Sequence, residues 1–360
     1  MTDAVPVWAY ASDLIDCVLN SRGINHSMNN YTTAASPGPT DHQPQASGLP
    51  SAQSEGNQPS VYIVLLNWNG WQDTLKCVGS LRCMEYQNWH AVIVDNGSSD
   101  DSVERLKEAC PEVSILQTEK NLGFAAGNNI GIRASLKNGA DYVFVLNNDT
   151  IVFPNTVSEF VEFAEKHPEA ALMGPRIDRR HPQREWPIRR KLDLLTLLCT
   201  FTPLRRLTVR IPIVRGIFYC TGRQPSVAQV LSGCALFFRA ATFEEAGLFD
   251  ESTFLDYEEL IMAEKVRSVG LWVYFVPQAT IWHKGSASAS NLRAKRYIEN
   301  AKSEEYFFSN YVRLSRFGRS IVRLVRFLTY GVRALRYRNY REHFNEFMDA
   351  LLSRQSVKVG

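Results

Sequence analysis

Four clusters of polar residues and one histidine carry the chemistry open to this chain. Asn147-Asn148-Asp149 sets a lone carboxylate after two amides, a group suited to holding a cation or a phosphate-bearing ligand. Asp95, followed by Gly97-Ser98-Ser99-Asp100, offers an acceptor beside a turn of small residues, which suits a nucleobase imide or a ribose hydroxyl. The competing reading is a turn-forming aspartate that caps the next helix. Asn121 to Asn129 is a glycine-bearing loop opening a helix, where backbone N–H groups approach a ligand. Its glycines, Gly123 and Gly127, match neither the GxGxxG spacing nor a Walker loop, which argues against a dinucleotide dehydrogenase and a P-loop NTPase. Asp256-Tyr257-Glu258-Glu259 gathers carboxylates at the start of a helical pattern running to Ser268, where acidic side chains also simply suit the helix dipole. His283 stands near a predicted strand end, a place where a lone histidine is more often structural than ligating.

These residues need elements that bring them to one edge. Tyr142 to Leu146 is apolar without alternation, as expected of a strand covered on both faces. Val61 to Leu66 is a second such run and ends in Asn67-Trp68-Asn69-Gly70, while Ala91 to Val94 ends in Asp95. Helical patterns lie between them at Thr74 to Met84, Ser102 to Cys110 and Asn128 to Asn138. Strand and helix in alternation predict right-handed βαβ units and one open, mostly parallel Rossmann-like sheet flanked by helices, an α/β fold. Ligands of such sheets bind at the carboxyl ends of the strands.

Composition narrows the classes of function. A net charge of +3 is too small to imply a nucleic-acid partner. Seven cysteines without a CxxC pair suggest reduced thiols in a cytoplasmic protein and no cysteine metal site. The first residues carry Asp3, Asp13 and Asp16 but no Lys or Arg, so the signal-peptide pattern is missing, and no apolar stretch approaches the ~20 residues of a membrane span. Residues 24–60 are rich in Ser, Pro, Gln, Asn and Gly and read as a disordered linker; residues 7–20 suggest a short helix before it. Residues 1–59 are therefore expected to be an extension on which catalysis does not depend.

Taken in order, these motifs resemble those of family 2 glycosyltransferases with the GT-A fold, in the rhamnosyltransferase-like branch. The resemblance rests on Asn67-Trp68-Asn69, Asp95-Asn96-Gly97-Ser98-Ser99-Asp100, Asn121-Leu122-Gly123-Phe124-Ala125 with Gly127-Asn128-Asn129, and Leu146-Asn147-Asn148-Asp149. It continues through Gly233 to Arg239, Gly247 to Glu251, Phe254 to Glu259 and His283-Lys284-Gly285-Ser286. It spans about residues 60–310 and implies a nucleotide-sugar half at 60–150 and an acceptor half at 151–310.

The resemblance implies an inverting transfer of a sugar, plausibly L-rhamnose from dTDP-rhamnose, to a glycan or lipid-linked acceptor in surface polysaccharide synthesis. Asn67, Asn69, Asp95, Asn96, Ser98, Asn121, Gly123, Phe124, Gly127, Asn128, Asn147 and Asn148 would contact the nucleotide-sugar. Asp149, with His283 as a further ligand or phosphate contact, would hold Mg2+ or Mn2+. Asparagine at 147 and 148 replaces the first carboxylate of the usual DxD pattern, so the metal should bind weakly until the diphosphate supplies ligands. Glu259 aligns with the general base that deprotonates the acceptor, with Glu258 in reserve and Asp256 a third candidate. The family's Asp is Glu at 259, and Ile261 and Asp256 also depart from its pattern. These departures keep a second class open, a catalytically weak GT-A-fold protein that binds nucleotide and membrane.

Two basic stretches complete the reading. Residues 176–230 mix Arg176, Arg179, Arg180, Arg184, Arg189, Arg190 and Lys191 with the apolar run Leu192 to Leu198, followed by Arg205, Arg206, Arg210 and Arg215. Such a mixture suits a lipid-phosphate acceptor, an anionic membrane or a solvated loop. From 313 to 335, Leu314, Phe317, Ile321, Leu324, Val325, Leu328, Val332 and Leu335 share one helix face, with Arg313, Arg316, Arg319, Arg323, Arg326 and Arg333 opposite. This amphipathic tail, within 311–360, is expected either to lie on an anionic membrane through residues 311–338 or to pack its apolar stripe on the domain. A shorter helical segment follows at 340–352. The first choice would place a cytoplasmic enzyme at the inner face of the cell membrane.

Overall fold

A computed structural model describes residues 58–178, 186–202, 204–285, 293–312 and 314–352. The expected helix at 7–20, the linker at 24–57, Arg179, Arg180, Arg184, Ser286 and Arg313 lie outside the described residues. The unbroken apolar runs become inner strands: β1 (Val61–Asn67), β2 (Trp89–Asp95) and β4 (Tyr142–Asn147), with β3 (Ser114–Gln117) beyond β2. All four run parallel in the order β3-β2-β1-β4. β1 pairs on one side with β2 and on the other with β4, which creates the crevice where such sheets bind ligands.

The other half of the sheet is mixed rather than parallel. β5 (Thr150–Val152), β6 (Ala170–Asp178), β7 (Ser226–Val227), β8 (Ala235–Arg239) and β9 (Trp272–His283) complete nine strands ordered β3-β2-β1-β4-β8-β6-β9-β5, with β7 paired to β9. β8 enters antiparallel between β4 and β6, so its start, not its end, meets the end of β4. β5 lies antiparallel to β9, which puts Thr150 beside His283.

Helices cover both faces. α1 (Trp71–Leu81), α2 (Ser102–Ala109) and α4 (Thr156–Lys166) belong to one core with Ile63, Leu65, Phe144 and Phe237; α3 (Phe124–Lys137) and α9 (Glu258–Ser268) belong to the other with Val64, Val143 and Phe238. α8 (Thr242–Glu245) joins the second face. α3 lies close on β1 because Gly127 has no side chain: a Cβ there would come within 2.6 Å of Leu66 Cδ1.

The segment after β6 forms three short helices, α5 (Leu194–Phe201), α6 (Arg205–Arg210) and α7 (Pro212–Phe218). After β9 come α10 (Arg293–Asn310), α11 (Arg316–Arg336), α12 (Arg338–Glu342) and α13 (Phe344–Leu352). None of the described helices is long and apolar enough to cross a membrane. α11 is amphipathic as its sequence requires, but much of its stripe faces outward. Arg319 and Arg323 donate to Glu305 of α10, and Arg326 to Glu304, while Phe317, Leu324, Leu328, Val332 and Leu335 are exposed. Buried carboxylates on α10 explain the orientation, since leaving them unpaired would cost several kcal/mol, on the order of that for breaking a buried pair.

Candidate active site

The loops after β1 and β2 are joined by their own polar side chains. Asn67 is fully buried; its Nδ2 donates to Asp95 Oδ2 at 2.7 Å, and its Oδ1 accepts from Thr74 Oγ1 at 2.8 Å. Asp95 also accepts from the Ser98 backbone N and hydroxyl. Asn69, exposed and at φ +50°, accepts from the backbone N–H groups of Ser99 and Asp100. Asn96 binds the third loop: its Nδ2 donates to Asn121 Oδ1 and the Gly123 carbonyl, and its Oδ1 accepts from the Leu122 N–H. Gly123 has φ +85°, and a Cβ on it would come within 2.5 Å of the Phe254 carbonyl, which accepts from the Phe124 N–H. Asn128 donates to the Phe124 carbonyl, and its own Oδ1 is buried without a partner. The structure thus brings the predicted donor-side residues to one edge, where Asn67 and Asn96 direct their amides into the protein.

The end of β4 differs. Asn148 donates to Thr74 Oγ1 at 2.9 Å, which turns it toward α1. Asn147 uses its backbone N–H to reach the Cys234 carbonyl at 2.9 Å, while its amide makes no hydrogen bond with a described residue. Asp149 Oδ1 faces His283 Nε2 at 3.1 Å, and Oδ2 is buried without a partner among the described residues. A buried carboxylate oxygen left bare is unusual in a folded chain. Lys284, whose role was not evident from the sequence, spans the same corner by pairing with Asp73 at 2.7 Å.

The acidic turn arrives from the other half of the sheet. Asp256 and Tyr257 have φ of +68° and +76°, successive non-glycine residues in the left-handed region. Each costs about 1–3 kcal/mol, a strain that persists where surrounding contacts enforce it. Tyr257, 3% exposed, donates to Glu304 Oε1 at 2.6 Å, and Arg326 donates to both Glu304 oxygens and to Asn300 Oδ1. Asn300 and Arg296 in turn hold the Asp256 carboxylate. Burial, followed by the charge of Glu304, raises the Tyr257 phenol well above its ordinary range. Arg326 and Glu304 thereby brace the turn, although no local pattern marks them: their partner lies 69 and 47 positions away in the chain.

The two glutamates after the turn are unequal. Glu258 is 3% exposed, its Oε1 has no partner among the described residues, and burial followed by the charge of Glu259 pushes its carboxyl well above the usual carboxylate range. Glu259 is half-buried and lies against Gly233, where a Cβ would come within 3.4 Å of its Oε2. Gly233 adjoins Cys234, the residue bonded to Asn147. The absence of a side chain at 233 leaves Glu259 beside the end of β4.

A Rossmann-like parallel block extended by an antiparallel strand, with a carboxylate at the end of β4 and an acidic pair opposite, defines a GT-A glycosyltransferase architecture. The sequence matches the profile of glycosyl transferase family 2 over residues 60–240. The chain belongs to that family. It is 26% identical over 236 residues to the N-acetylglucosaminyl-diphospho-decaprenol L-rhamnosyltransferase of Mycobacterium tuberculosis, covering 61% of this chain and 74% of that one. It is 22% identical over 224 residues to the dTDP-rhamnosyl transferase RfbF of Shigella flexneri, covering 62% and 69%. The fold resembles a crystal structure of GalNAc-T7 with UDP, GalNAc and Mn2+, with a TM-score of 0.51 and 18% identity. That match covers 71% of this chain and about half, 49%, of the other.

Proposed function

We propose that this enzyme transfers L-rhamnose from dTDP-rhamnose, with inversion, to a lipid-linked saccharide destined for a surface polysaccharide. Asp149 Oδ2, buried without a partner among the described residues, is the observation that carries the reading, and Glu259 supports it by lying against Gly233, next to the Cys234 carbonyl that accepts from the Asn147 N–H. In this account Glu259 takes the proton of the acceptor hydroxyl, the acceptor oxygen bonds to the sugar C1, and the C1–O bond to the diphosphate breaks as the nucleotide leaves with its electron pair. Burial pushes the Glu258 carboxyl up and sets it apart from Glu259, which is only half-buried.

The residues also fit a divalent cation. Asp149 would hold Mg2+ or Mn2+ through Oδ2, with His283 fixing the carboxylate through Oδ1. When bound, such an ion would offset the charge that develops on the diphosphate leaving group. No group of three or more His, Cys, Asp or Glu side chains among the described residues could hold the ion. In this reading water and the donor diphosphate would supply the remaining ligands. A thermal-shift screen of UDP-, GDP- and dTDP-sugars with each metal tests this account. dTDP-rhamnose plus metal should stabilise the wild-type chain, and Asp149→Ala should abolish the metal-dependent part. Equal metal-dependent shifts in both proteins would remove Asp149 from the site.

The names of the two relatives support the rhamnosyl donor, and that of the mycobacterial enzyme supports a lipid-linked acceptor. We also infer peripheral contact with the inner face of the cell membrane. Residues 60–310 then form the transferase unit, and the rest of the described tail packs on it. α5 to α7 and α11 contain no carboxylate, share one core cluster, and expose Ile213 at 80% and Leu335 at 84%. Exposed apolar side chains on helices that carry arginine and no carboxylate suit an anionic bilayer surface. Ile213→Asp combined with Leu335→Asp should reduce sedimentation with phosphatidylglycerol vesicles at least fivefold. Undiminished sedimentation would refute this contact.

A further inference from the structure

A cavity of about 480 Å3 opens beside the acidic turn, between α10, α11 and α12. Asp256 belongs to both places: its backbone is part of the strained turn that delivers Glu258 and Glu259, and its carboxylate lines the cavity. The volume lies within the ~300–1,000 Å3 of small-molecule sites. Its lining is neither apolar nor simply charged, and each part has a distinct partner.

Charge decides the ligand class. Arg296 faces Asp256 at 3.4 Å, so these two largely offset each other. Arg333 is different. Its guanidinium lies 4.7 Å from the Tyr297 ring centroid and 5.8 Å from that of Tyr340, and it donates to the Tyr340 hydroxyl at 3.2 Å. No carboxylate among the described residues pairs with it, although Arg319, Arg323 and Arg326 on the same helix each have one. A guanidinium close to two rings in a concavity, with no carboxylate partner among the described residues, has further N–H groups to offer an anion such as phosphate. The remaining lining suits a sugar: Tyr337 presents a ring that is 41% exposed, and Asp256 and Asn300 offer polar atoms to hydroxyls.

We propose that this cavity is an acceptor subsite for a phosphorylated or pyrophosphorylated saccharide. Arg333 binds the phosphate, Tyr337 packs on a sugar ring, and Asp256 links occupancy to the turn bearing the base. The proposal rests on the glycosyltransferase reading and adds the anionic part of its acceptor. A phosphate here lies apart from the donor diphosphate, which belongs at the ends of β1, β2 and β4.

Calorimetry on the full chain tests it, with inorganic pyrophosphate as the probe and saturating nucleoside diphosphate present to fill the donor cleft. The wild-type chain should bind pyrophosphate, Arg333→Gln should weaken binding at least tenfold, and Arg333→Lys should fall between. In transfer assays with a saccharide pyrophosphate acceptor, Arg333→Gln and Tyr337→Ala should each raise the acceptor KM severalfold or more while nucleotide affinity stays at the wild-type value. Tyr337 is exposed enough to test the site without endangering the fold. No pyrophosphate binding by the wild-type chain, or equal binding by Arg333→Gln, would overturn the subsite. Absence of any nucleotide-sugar turnover in the wild-type chain would instead overturn the glycosyltransferase reading, and the subsite's role with it.

Discussion

At the ends of β1 and β2 the polar side chains bond mainly to one another, so Asn67, Asp95, Ser98 and Thr74 form a closed set before any ligand arrives. Around Tyr257 the turn is instead held from outside, by Glu304 and Arg326 on separate helices, and it leaves Glu258 Oε1 bare. The first region is rigid through local satisfaction. The second stores strain and an unsatisfied carboxyl, and depends on distant partners to keep them. The proposed roles suit this division, because a nucleotide platform needs fixed geometry whereas a general base needs a tuned environment.

The contrast is most sharply tested through Arg326. Arg326→Leu should leave Glu304 buried and unpaired and cost about 3–5 kcal/mol in denaturant unfolding. Adding Glu304→Leu should recover much of that loss; strictly additive losses would show that the pair does not brace the turn. On the donor edge, Asn67→Ala removes a buried donor and should cost about 1–3 kcal/mol, with weaker nucleotide binding in titrations. A variant as stable as wild type would mean that the edge is less closed than its hydrogen bonds indicate.

A smaller effect separates the two glutamates. Because burial raises the Glu258 carboxyl above the ordinary glutamate range, the folded chain holds this proton more tightly than the unfolded one. Its contribution to stability is complete below the ordinary carboxylate pKa and is lost as pH rises through the folded value. Glu258→Gln should flatten that decline in a series of melting temperatures against pH. An unchanged slope would show that Glu258 does not carry it.

Much of the donor side was legible in the sequence because local patterns encode it. Unbroken apolar runs announce buried strands, and the polar residues that end them, Asn67, Asp95 and Asn147, must reach the same edge. The order of motifs did the rest. The mixed half of the sheet was less visible, since nothing in Ala235 to Arg239 states that β8 runs antiparallel to β4. The bracing of the acidic turn was also hidden. Hydrophobic periodicity identified α11 as amphipathic, but its inward face is set by Glu304 and Glu305 on another helix, a long-range demand that no window of sequence contains. Residues 194–218 resisted reading for a related reason: their apolar side chains are divided between a core and the surface.

The central claim is that Glu259 accepts the acceptor's proton from beside the end of β4. Its direct test is single-turnover transfer by Glu259→Gln under saturating donor, with donor affinity measured on the same protein. The account predicts a rate about 10²–10⁴-fold below wild type, the range for losing a general base, with donor affinity within twofold. Transfer at the wild-type rate would contradict it.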